Sequence, residues 1–151
     1  MSTLLLIAHG IAAVFLIGAV SHQAASVLRT LDAAQGRFVQ RFAGVRAAAY
    51  TEAIIVLYML TMLLGALLYP IYTLGVREEF RSELPGAFGS FEIKEHFAAL
   101  GLGLLPTYWW LWRRRSLEEL VSVRRLVTLV LTVVAWLAFL VGHVLNNLGG
   151  M

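Results

Sequence analysis

The chain has 151 residues, 60% of them hydrophobic, and a mean hydropathy of +0.79, well above the ~45–50% apolar share of a soluble domain. Its charged residues, 14% of the total, gather into short blocks between long apolar runs, which excludes a soluble enzyme with a membrane tail. The absence of cysteine excludes a disulfide framework, a thiolate metal site and a covalently attached c-type haem. A net charge of +3 is accounted for by basic loops beside anionic lipid headgroups, and with no nucleic-acid motif present, no nucleic-acid partner is expected.

The first apolar run covers residues 4–22. Small residues follow it at Gln23-Ala24-Ala25-Ser26, but no basic residue precedes it, so it reads as a retained helix rather than a secretory signal. Further runs follow at 54–74, 93–112 and 126–148. Each is near the ~20 residues that cross a hydrocarbon core, and each must be helical there because its amides can pair only within the segment. The predicted fold is therefore all-α: an integral membrane four-helix bundle in one transmembrane domain spanning 1–151. In the connector after the first helix, Phe38, Phe42 and Val45 keep helical spacing beside Arg37 and Arg41, which suits a short interfacial helix.

Basic residues set the orientation. The connectors after the first and third runs carry Arg29, Arg37, Arg41 and Arg46, and Arg113, Arg114, Arg115, Arg124 and Arg125; the middle connector balances Arg77, Arg81 and Lys94 against five glutamates. Basic loops stay in the cytoplasm, so both termini and the middle connector are expected outside, in a multi-pass protein of the bacterial inner membrane. Residues 75–91, with Pro85-Gly86 and Gly89, are long enough to fold over the outer end. Trp109, Trp110 and Trp112 before Arg113 fit an interfacial aromatic belt, and Pro70 between Tyr69 and Tyr72 is expected to close the second helix.

Depth sorts the histidines. At ~1.5 Å of rise per residue, His9, His96 and His143 fall on three helices in one outer layer, whereas His22 stands near the inner face with Gln23 and Glu52 as polar neighbours. Ionisable groups in a membrane usually face an interior, a cavity or a partner. Three chemistries are compatible with the layer. The first is one haem b held by two imidazoles, in electron transfer, with His96 and His143 narrowly preferred, Tyr69 and Asn147 beside them, and Lys94, Arg77 or Arg81 offsetting the propionates. The second is a copper or zinc site of His9, His96 and His143 with Glu92 or Glu95. The third is an accessory subunit of a larger complex, or a homodimer, whose histidines are structural. A redox partner or quinone is left open, no catalytic residue is indicated, and an enzyme role is uncertain. A second haem is not expected, since His9 and His22 point about 140° apart on one helix.

The stretches Leu64-Gly65-Ala66-Leu67-Leu68-Tyr69-Pro70, Phe91-Glu92-Ile93-Lys94-Glu95-His96-Phe97 and Leu140-Val141-Gly142-His143-Val144-Leu145-Asn146-Asn147 resemble those of a family of bacterial four-helix membrane proteins of this size. The plan of four helices with histidines near their ends also resembles haem proteins of the cytochrome b561 type and CopD-like copper-resistance proteins. That likeness of plan implies at most one haem, because a full set of histidines exists only on the outer side.

Overall fold

The computed structural model describes residues 2–28, 47–75, 77–114 and 118–148, and nearly all of them are helical. The four long helices are α1 (Ser2–Leu28), α2 (Thr51–Gly75), α4 (Pro85–Arg113) and α5 (Val121–Leu148), with a short α3 (Arg77–Glu83) before α4 and single 3₁₀ turns at Ala47–Tyr50 and Glu118–Leu120 leading into α2 and α5. Every expected span lies inside one of the long helices. The interfacial helix expected around Phe38 and Phe42 lies outside the described residues.

Among the described residues, three segments are long and apolar enough to cross a membrane: Thr3–Leu28, Ala47–Gly75 and Glu118–Leu148. The fourth expected span, 93–112, is a helix but falls short of the same apolarity. Glu92, Lys94, Glu95 and His96 load its first half, and Pro106, Tyr108 and the tryptophans lower its second. The other three helices carry large apolar residues on their outward faces. Leu4, Val14 and Phe15 of α1, Val56 and Leu63 of α2, and Val133 of α5 are each more than half exposed. Apolar cover on this scale is out of place in water and ordinary in lipid.

Neighbouring helices run antiparallel, as specific contacts show. His9 meets Thr61 while Gln23 meets Thr51. Tyr58 meets Ala98 while Tyr72 stacks on Phe91. Lys94 meets Gly142 while Trp112 meets Thr128. The starts of α1 and α4 therefore gather with the finishes of α2 and α5 at one end, here the terminal end, and the opposite connector end holds the turns into α2 and α5.

Within the connector expected over the outer end, residues 77–83 form α3 and residues 85–91 the first turns of α4, with Pro85 in the opening turn of the helix, where its missing N–H costs nothing. Phe80 of α3 is buried at 1% exposure against Tyr72 and Leu145, pinning α3 across the terminal end. Pro70 does not close α2 either, since the helix continues to Gly75. Its ring and missing N–H leave the Ala66 carbonyl without its usual partner, and Ala66 faces the cavity described next.

Candidate functional site

The two halves of the helix assembly are built differently. At the connector end, Gln23 is fully buried and completely engaged: its amide donates to the Ala47 carbonyl at 2.9 Å and to Thr51 Oγ1 at 3.3 Å, and its oxygen accepts from Tyr108 Oη at 2.5 Å. His22 stacks on Tyr50 with centroids 4.6 Å apart, while Glu52 is exposed. Trp112 is not an interfacial residue. It is buried, donates to Thr128 Oγ1 at 3.2 Å, and lies under the Arg124 guanidinium. Trp109 and Trp110 keep the exposed positions expected of all three, with Arg113 and Arg114 over their rings.

The midsection is sealed by Tyr58. Its hydroxyl donates to the Ala98 carbonyl at 2.9 Å, and its ring rests on Gly101, where an added Cβ would overlap Tyr58 Oη. Glycine at 101 is what lets α2 and α4 meet through this tyrosine. The sequence gives no cue to this pairing, because glycine is common in apolar helices.

Beyond Tyr58, toward the terminal end, the helices line a partly open cavity of about 750 Å³, within the range of small-molecule and cofactor sites. Its walls are mostly apolar, among them Leu6, Ala13, Met62, Phe91, Ala138 and Phe139, and its polar groups are His9, Thr61, Tyr69, Tyr72, Lys94, Glu95, His143 and Asn146. Small residues make the space: Gly10 and Ala13 of α1 both line it, and a side chain added at Gly10 would meet nothing within 4 Å.

His9 is held firmly. Its Nδ1 lies 3.1 Å from the Thr61 carbonyl oxygen; a carbonyl only accepts, so Nδ1 carries the proton and Nε2 keeps its lone pair. A backbone carbonyl bonded to one ring nitrogen fixes the ring and leaves the other nitrogen free to accept or ligate. Gly65 supplies the room, since a Cβ there would sit 3.3 Å from His9 Cε1. On α5, His143 is exposed, like His96, but lines the cavity; it stacks parallel to Phe139, centroids 6.5 Å apart, and Asn147 Nδ2 donates to the His143 carbonyl at 2.8 Å and lies 3.4 Å from its Nε2.

Three expected site residues fall elsewhere. His96 is exposed on α4, its Nδ1 bonded to the Glu92 carbonyl at 2.6 Å within its own helix. Glu92 pairs with Arg77 at 3.5 Å, and Asn147 is exposed; none of the three lines the cavity. Of the three histidines expected in one layer, His9 and His143 line the cavity and His96 does not, because depth along an axis says nothing of rotation about it. Among the described residues no three His, Cys, Asp or Glu side chains come together to hold a metal ion, so the copper or zinc site of His9, His96, His143 and Glu92 is not formed. Tyr69 does line the cavity, tilted against Tyr72 and Phe91.

Compared with protein-family models, curated proteins and solved structures, the chain finds no match. Its functional reading rests on the residues just described.

Proposed function

We propose that this chain is an integral four-helix membrane protein of the bacterial inner membrane. In this reading α4 is the fourth span, the terminal end faces outward, and the terminal-end cavity takes up one haem b for electron transfer. The observation that carries it is that His9 and His143, on two different helices, open onto one apolar cavity of about 750 Å³. The donor set fits the group. Two imidazoles would hold the iron, the apolar walls would take a macrocycle, and Lys94, paired with Glu95 at 2.7 Å, would bring ammonium donors to the polar end. Haem b contributes a one-electron couple at its iron. The protein's share is to fix the His9 imidazole through Thr61 and to floor the cavity with the buried Tyr58 and Phe80.

The test is the reduced minus oxidised absorption spectrum of the protein purified in mild detergent. Near-stoichiometric Soret and α-band changes are expected. His9→Ala and His143→Ala abolish them, while His96→Ala leaves them in place. A flat spectrum from folded wild-type protein refutes haem binding, and loss in His96→Ala with retention in His9→Ala refutes the ligand pair.

A second reading, an accessory subunit, draws on one specific observation. His96 is an exposed imidazole flanked by the exposed Ile93, Phe97 and Leu100, a polar group on an otherwise apolar face of the kind that a partner helix covers. Co-purification of a larger complex from wild type, lost in His96→Leu, supports it.

A further inference from the structure

The connector end of α4 carries positive charge that no neighbouring carboxylate answers. Arg113 and Arg114 are exposed where the helix ends, and Arg124 of α5 is buried beside them at 8% exposure. Arg124 turns to the backbone: its Nε donates to the Leu111 carbonyl at 3.1 Å and an Nη to the Arg114 carbonyl at 3.2 Å. Among the described residues the ion pairs are Arg77 with Glu92 and Lys94 with Glu95, both toward the terminal end. Glu118 and Glu119, in the turn before α5, pair with none of the three arginines.

The two exposed guanidiniums are held in place. A helical side chain leans toward the turn before it, so Arg113 lies over the Trp109 ring, its Cζ 4.5 Å from the centroid, and Arg114 over the Trp110 ring at 5.5 Å. The Arg124 bond to the Arg114 carbonyl ties this turn to α5. Both indoles are exposed, at 38% and 43%, and tryptophan favours the depth between acyl chains and headgroups. An indole covers one face of a guanidinium and leaves its N–H edge open, and that edge matches phosphate oxygens in pairs. From Trp109 toward the midsection, Pro106 and Leu102 continue the same exposed face at helical spacing.

We infer that Arg113 and Arg114, each on its own indole, dock anionic phospholipids at the connector end of α4. The inference rests on α4 being a span and is independent of what the cavity holds. A lipid phosphodiester accepts from the guanidinium edge, while an acyl chain lies along Trp109, Pro106 and Leu102. Adjacent helix positions point about 100° apart, so each arginine takes a phosphate of its own. Charge complementarity selects the partner: a zwitterionic headgroup brings a cation that the arginines repel, and an anionic one does not.

The experiment is native mass spectrometry of the full chain in mild detergent, incubated with phosphatidylglycerol or with phosphatidylcholine of the same acyl chains. Wild type retains two phosphatidylglycerols and prefers each over phosphatidylcholine by about fivefold, equivalent to ~1 kcal/mol. Arg113→Gln and Arg114→Gln each remove one, and the double variant removes both. Trp109→Leu weakens retention with no change of charge, whereas Arg81→Gln, an exposed arginine on α3, leaves it intact. An unchanged thermal midpoint reports that the variants fold. Equal retention of the two lipids by wild type, or an equal loss in Arg81→Gln, overturns the site. Displacement of the lipid by water-soluble glycerol phosphate at the same concentration also overturns it, since the acyl chain would then contribute nothing.

Discussion

The two halves of this helix assembly solve the problem of buried polarity in opposite ways. At the connector end a glutamine with no exposure bonds to a backbone carbonyl, a threonine and a tyrosine, so polar groups there lock α1, α2 and α4 together. At the terminal end the same helices part around a cavity, and the buried Tyr72 hydroxyl and Asn146 carbonyl have no partner. Satisfied networks rigidify, whereas partly satisfied ones mark where something else binds. One half is a frame, and the other is a receptacle held by it.

The comparison breaks first at the boundary between the halves. Gly101→Ala places a Cβ against Tyr58 Oη and forces the tyrosine off the Ala98 carbonyl, with an expected loss of about 2–3 kcal/mol for overpacking. A fall in the thermal midpoint in detergent measures it. Adding Tyr58→Phe, which removes the overlapping oxygen, restores part of the loss; no restoration would mean that the clash lies elsewhere.

The next largest effect tests the frame. Gln23→Leu removes the side-chain partner of the Tyr108 hydroxyl and of the Ala47 carbonyl and is expected to cost about 1–3 kcal/mol. In the double variant with Tyr108→Phe the costs fall short of additive, because one orphaned group has gone. Additive losses would show that Gln23 and Tyr108 do not act as a unit.

The smallest effect has the opposite sign and tests the receptacle. Gly10 lines the cavity with open space where its Cβ would be, so Gly10→Leu fills volume and removes a mid-helix glycine, a gain of roughly 0.5–1 kcal/mol. The same variant is expected to lose haem uptake in a Soret titration. A more stable protein that no longer binds sharpens the division between halves, while retained uptake places the ligand elsewhere.

Much of this was legible in the chain. Apolar runs bounded by charge dictate long helices, since a backbone in lipid can satisfy itself in few other ways, and all four runs lie within helices. The depths of His9 and His143 also follow from counting residues along those runs. Rotation and pairing do not. Apolar residues all round α1 and α2 leave no stripe to say which side is inward, and depth alone does not tell that His9 lines the cavity while His96 does not. Only the tertiary structure brought Thr61 and Gly65 to His9, Tyr58 to Gly101, and Tyr72, Lys94 and Asn146 to the walls of one cavity, because those contacts depend on how the antiparallel helices turn toward one another and on the small residues that let them close or part.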